Sequence, residues 1–140
     1  MLYLDTSVLV SALTNEADTP VVQDWLSRQD AQDLTISDWV VTEFSAALSI
    51  KLRTGQLGPE HRAAALATFT RLAAETFRIL AVERSSFRTA ARFADQHALN
   101  LRAGDSLHLA ICADMGATLC TLDQRLGQAA PQVGVGSLLL

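Results

Sequence analysis

A chain of 140 residues, 49% of them hydrophobic, is long enough for one folded domain with a sizeable core and too apolar to be disordered. No apolar run approaches the roughly 20 residues that span a bilayer, and a net charge of −4 argues against nonspecific nucleic-acid binding through a basic surface. Arginine nonetheless supplies every basic residue except Lys51, and arginine is the better bidentate partner for phosphate.

Leu2 to Leu4 is a short apolar run with no room for a helix before it, which predicts a strand buried on both faces. It ends at Asp5, and Thr6-Ser7 open a new apolar pattern through Val8, Leu9, Ala12 and Leu13, a short helix to about Asn15. Asp5 therefore stands where a strand gives way to a helix. Two roles are open to it: a helix N-cap, or a ligand-facing group at the carboxyl end of a strand. The N-terminus has no basic region before its apolar stretch, and Asp5 interrupts that stretch, so a signal peptide is not expected and a cytoplasmic protein is.

Pro20 opens a second helix over Val21, Val22, Trp25 and Leu26. Leu34 to Ile36 predicts the second strand, after which Ser37 or Asp38 caps a long helix reaching Arg53 and ended by Gly55. The inward face of this helix is expected to carry Trp39, Val40, Ala46, Ala47 and Ile50. Glu43 falls on or beside it, either as a buried carboxylate in need of a partner or at the margin where it reaches water. Gly58-Pro59-Glu60 starts the next helix, to about Glu75, with Ala65, Leu66, Phe69, Leu72 and Ala73 turned inward.

The third strand is expected over Phe77–Val82 and the following helix over Ser85–Ala98, its apolar face carrying Phe87, Ala90, Ala91 and Ala94. Arg84, Arg88 and Arg92 recur every four residues along one side of it. That ridge is either a solvated face or a track for phosphates. Gly104-Asp105 opens a strongly apolar helix that stops at Met115-Gly116. Ala117 to Thr121 predicts the fourth strand, followed at once by Leu122-Asp123. Gln124–Ala129 reads as a short helix, Pro131 breaks it, and Val133–Val135 is the candidate for a last edge strand. Alternating strands and helices imply an α/β fold on a parallel sheet with right-handed crossovers.

Cys112 and Cys120 lie in apolar surroundings and are expected to be free buried thiols, and the scattered His61, His97 and His108 form no zinc pattern. The acidic residues are more telling. Asp5 and Asp123 each follow a short strand, Asp105 sits at a helix start, and Glu43 is on an inward-turned helix. If the strands are parallel, the two strand-end carboxylates share one sheet edge with the helix starts. Carboxylates gathered without matching cations repel one another, and hard divalent ions such as Mg²⁺ or Mn²⁺ are the natural remedy. Such a site suits phosphodiester hydrolysis and needs no side-chain nucleophile. No nucleophile elbow surrounds Ser7, no clear triad is present, and no glycine-rich phosphate loop appears.

Four segments in this order, Tyr3–Leu9, Thr42–Phe44, Leu101–Ala110 and Thr121–Asp123, resemble those of PIN-domain nucleases, and more closely the VapC-type toxins of type II toxin–antitoxin pairs. The resemblance implies a single PIN domain over residues 1–140, a three-layer αβα sandwich on a mostly parallel central sheet. It implies that Asp5, Glu43, Asp105 and Asp123 form the catalytic, metal-holding set, supported by hydrogen bonds from Ser7 and Thr121. The implied activity is metal-dependent endonucleolytic cleavage of RNA with Mg²⁺ or Mn²⁺, in a homodimer inhibited by a cognate antitoxin. A housekeeping RNA-processing PIN nuclease and a non-catalytic module that holds metal or RNA are the alternatives. Arg84, Arg88, Arg92 or Arg102 are expected to help an acidic protein hold RNA.

Overall fold

The computed structural model describes Met1–Leu140 throughout. Five strands form one sheet: β1 (Leu2–Leu4), β2 (Leu34–Ser37), β3 (Arg78–Leu80), β4 (Thr118–Thr121) and β5 (Ser137–Leu139). Their order is β3-β2-β1-β4-β5 and every pairing is parallel. Seven helices connect and cover them: α1 (Thr6–Leu13), α2 (Thr19–Ser27), α3 (Asp38–Arg53), α4 (Pro59–Glu75), α5 (Arg84–Ala94), α6 (Ala103–Met115) and α7 (Gln124–Ala129). None of them is long and apolar enough to cross a membrane.

Parallel pairing places the carboxyl ends of β1, β2 and β4 at one edge. β1 is central, and the chain runs outward through β2 and β3 before returning to its other side with β4. The sheet therefore reverses its winding between β1 and β4, which is where open α/β sheets form their binding crevice. The register pairs Leu4 with Cys120, and the Asp5 N–H donates to the Cys120 carbonyl at 3.1 Å. Asp5 is thus locked beside Thr121 at that crevice.

The core follows from this layering. Tyr3, Leu4, Ile36, Leu119 and Cys120 fill the sheet, and Val8 and Leu9 of α1 and Leu109 and Ile111 of α6 pack on it. Helix α6 is buried continuously from Ser106 to Cys112, as a helix apolar on every side must be.

Five expectations are corrected. Val133–Val135 is not a strand. A 3₁₀ turn covers Ala130–Val133 and is closed by Gly134 at φ +79°, so the chain pairs with β4 only from Ser137. Glycine adopts that left-handed backbone without a Cβ penalty. The buried line of α3 is Val40, Phe44 and Leu48; of the expected face Val40 is buried and Trp39 and Ala47 pack on the core, but Ala46 and Ile50 are exposed, because Phe44 stacks on Phe69 of α4 at 4.3 Å between ring centroids. On α5 the buried residues are Ser86 and Ala90, while Phe87 is 55% exposed, because α6 meets the helix on the serine side, where Ser86 Oγ donates to Asp114 at 2.6 Å. Helix α5 also ends at Ala94, and β3 is confined to Arg78–Leu80.

Candidate active site

Each carboxylate is placed by the element that carries it. Asp5 caps α1: its Oδ1 accepts the Val8 N–H at 3.3 Å and the Ser7 hydroxyl at 2.5 Å. Its Oδ2 accepts the Thr121 hydroxyl at 2.5 Å. The structure thus fills the first of the two roles open to Asp5, the helix N-cap, at the carboxyl end of β1. Asp5 is only 3% exposed. Burial pushes its carboxyl above the ordinary range, even though the charge of His108 and the hydrogen bonds from Ser7, Thr121 and Val8 pull the other way.

Ser7 and Thr121 each perform a second task. Ser7 Oγ accepts the Leu122 N–H at 2.9 Å, and Thr121 Oγ1 accepts the Asp123 N–H at 3.0 Å. The two hydroxyls thereby fasten the turn after β4 to Asp5, and fix where Asp123 begins. Asp123 in turn caps α7, its Oδ1 accepting the Leu126 N–H at 3.1 Å. Asp105 lies in the first turn of α6, where its Oδ2 accepts the Arg102 N–H at 2.9 Å. Three of the four carboxylates therefore help to start a helix, where negative charge is favoured.

Glu43 is the exception, lying within α3. Its Oε2 accepts the Thr6 hydroxyl at 2.5 Å and meets His108 Nε2 at 2.7 Å. Its side chain is 28% exposed. Burial would raise this carboxyl, but the hydrogen bond and charge of His108, with Thr6 and the nearby Trp39 indole, outweigh it and hold Glu43 below the ordinary range. Glu43 thus sits at the edge of the apolar face, partnered and open to solvent at once. Gly104 forms the facing wall. A Cβ there would stand 2.7 Å from Glu43 Oε1.

Three participants were not singled out in the sequence. Thr6 donates to Glu43, and His108 links Glu43 to the Tyr3 hydroxyl, which lies 2.9 Å from Nδ1. Arg125 approaches both Asp105 and Asp123 through its Nη2, at 3.1 and 3.6 Å. The only available signals were an adjacent hydroxyl, a histidine inside an apolar helix and an arginine two residues beyond Asp123. All three are commonplace. The expected arginine ridge is present but separate: Arg84, Arg88 and Arg92 are exposed on α5 and pair with no carboxylate. Arg102 is exposed and reaches Asp105 through its backbone. The two cysteines are free and buried, as expected, and burial pushes the Cys120 thiol up to about 12.

The four carboxylates are thus joined by short links to one end of the sheet, but no three acidic, histidine or cysteine side chains close into a formed metal cage. The donor set fits a hard divalent ion by its chemistry. It offers carboxylate oxygens and hydroxyls, one carboxylate is buried against its electrostatic preference, and a guanidinium stands between two others.

Known proteins bear on the same region. A PIN domain family model matches residues 2–131. Ribonuclease VapC35 of Mycobacterium tuberculosis is 33% identical over 136 residues, covering 93% of this chain and 90% of that protein. The crystal structure of VapC20 from Mycobacterium tuberculosis, a sarcin–ricin-loop-cleaving toxin, superposes with a TM-score of 0.74 at 17% identity, covering 92% of this chain and 95% of that one. VapBC2 from Rickettsia felis, bound to a DNA fragment from its promoter, gives a TM-score of 0.69 at 16% identity, covering 100% of this chain and 99% of that one. A parallel sheet of this order, an acidic crevice at its switch point and a family match along nearly the whole chain agree: the chain belongs to the PIN domain family.

Proposed function

We propose that this protein is a metal-dependent endoribonuclease and the toxin component of a toxin–antitoxin pair. The observation that carries the reading is Asp5, a carboxylate 3% exposed and held from both oxygens by Ser7 and Thr121 at the crevice between β1 and β4. Burying a charge in this way costs stability unless a cation offsets it. The named activity of the relative VapC35 supports the ribonuclease reading.

Asp5, Asp105, Asp123 and Glu43 would hold the cation, which we take to be Mg²⁺ or Mn²⁺ because every donor is a hard oxygen. When bound, such an ion supplies Lewis acidity toward a phosphodiester and makes water a competent nucleophile at neutral pH. The chain's own residues do the rest. Ser7 and Thr121 hold Asp5 in register and partly offset the burial of its charge, while Thr6 and His108 fix the rotamer of Glu43. Glu43, partly open to solvent and held below the ordinary carboxyl range, stays the carboxylate that a cation at this edge would need. RNA is the substrate, a cognate antitoxin the inhibitory partner and a homodimer the working form.

The test is cleavage of RNA by the purified protein with Mn²⁺ or Mg²⁺. Asp5→Asn and chelation should each abolish it, and cutting that survives both overturns the reading. Growth arrest on expression, relieved by the product of a neighbouring small gene, separates a toxin from a housekeeping nuclease.

A further inference from the structure

Arg125 presents an arrangement that the proposed activity does not require. Its Nη2 lies 3.1 Å from Asp105 Oδ2, a hydrogen bond, and 3.6 Å from Asp123 Oδ2, an ion pair too long for one. The two carboxylates come from the starts of different helices, α6 and α7. Like charges brought this close need a counter-charge, and the guanidinium provides it.

The pairing is nonetheless a poor one for an arginine. Arginine binds carboxylate best through two parallel N–H donors. Here a single nitrogen is shared between two acids, while Nε is buried with no acceptor. An unsatisfied buried donor is a cost that a purely structural bridge would be expected to avoid. The Arg125 side chain is one-third exposed, so it has a route outward.

We infer that Arg125 is a built-in competitor for the cation site: its guanidinium holds Asp105 and Asp123 in position before a divalent ion arrives, and must yield to that ion. Arg125 is on this account a positioning residue that raises the cation concentration at which the enzyme loads. The inference rests on the acidic edge being the metal site proposed above.

The experiment is Mn²⁺ titration of the full-length protein by calorimetry, without RNA, comparing wild type, Arg125→Gln, Arg125→Lys and Asp5→Asn. Removing the competing charge in Arg125→Gln should tighten Mn²⁺ binding roughly two- to fivefold, about the effect of one partly exposed ion pair. Arg125→Lys, which keeps the charge on a compact head, should fall between that variant and wild type. A residue that only braces the fold would leave binding unchanged or weaken it, and either result in Arg125→Gln overturns the inference. Should that variant fail to fold by circular dichroism, Arg125→Lys decides: tighter Mn²⁺ binding than wild type supports competition, and equal or weaker binding overturns it. If wild type takes up no Mn²⁺, or Asp5→Asn takes it up equally well, the proposed metal site fails and the inference with it. If Asp5→Asn abolishes uptake while Arg125→Gln binds as wild type does, the inference alone fails.

Discussion

His108 Nε2 lies 2.7 Å from Glu43 Oε2, and its other ring nitrogen lies 2.9 Å from the Tyr3 hydroxyl at the centre of the sheet. The ring therefore ties the Glu43 carboxylate on α3 to the buried strand β1. Asp5, only 3% exposed, receives more hydrogen bonds than Glu43 but stands on the opposite side of its ordinary range, because its burial outweighs them. The two carboxylates thus shift in opposite directions for a local reason: Glu43 is less buried and touches the His108 ring directly, whereas Asp5 is buried more deeply and has no such contact.

Acid should reveal that difference in the metal-free protein. The folded pKa of Glu43 is lowered, so its contribution is present above the unfolded value, about 4, and is lost as pH falls through the folded value. The folded pKa of Asp5 is raised, so its contribution is present below about 4 and is lost as pH rises through the folded value. Urea unfolding in chelator should show Asp5→Asn gaining on wild type as pH climbs from about 3 to about 7, while Glu43→Gln loses ground over the same range. Parallel curves for the three proteins would refute the assignment.

Gly104 should be needed for activity more than for stability. A Cβ at this position meets Glu43 Oε1 at 2.7 Å, and Glu43 cannot simply turn aside without leaving Thr6 and His108. Alanine in a helix is otherwise preferred over glycine by about 1 kcal/mol. Gly104→Ala should therefore keep its Tm within about 5 °C of wild type. Its RNA cleavage rate should fall roughly 10- to 100-fold, as expected for a displaced catalytic group. A variant that unfolds readily, or cuts at the wild-type rate, contradicts this account.

The positions of three of the four acidic candidates were readable from the sequence because they sit at punctuation, whereas Glu43 lies inside a helix. Asp5 and Asp123 follow short apolar strands, and Asp105 follows a glycine at a helix start, so alternation of strand and helix alone carries them to one edge. The helper residues were not readable, because their partners are distant in sequence. His108 looks like one more core position of α6 until Tyr3 and Glu43 are brought to it. Arg125 looks like a surface residue of a short helix until α6 places Asp105 beside it. The misplaced last strand has a local cause, since the β-branched pair around Gly134 mimics a strand while the glycine's left-handed backbone ends a 3₁₀ turn. The wrong face on α5 arose because Phe87, Ala91 and Ala94 share helical spacing with Ala90, and only the docking of α6 decides between them.

Tyr3→Phe probes the same buried chain from its far end. The hydroxyl lies 2.7 Å from Ser37 Oγ and 2.9 Å from His108 Nδ1, and Tyr3 is fully buried. Deleting one oxygen leaves two buried polar groups short of a partner, at a cost of about 1–3 kcal/mol. The urea midpoint should drop accordingly with no change in the slope of the transition. A midpoint equal to wild type would mean that water replaces the hydroxyl and that the link between β1 and His108 is not structural.

The arginines of α5 are a test of how an acidic protein holds RNA. Arg84, Arg88 and Arg92 are exposed and have no carboxylate partner, so their charge is free to face phosphates. Each phosphate contact to a single strand contributes about 0.7 to the slope of log K against log salt. With cleavage blocked by Asp5→Asn, replacing all three with alanine should weaken RNA binding and flatten that slope by up to about 2. The stability of the protein should hardly change, because exposed charges without partners contribute little to folding. An unaltered slope would assign the ridge to solvation and leave RNA binding to groups nearer the crevice, Arg102 among them.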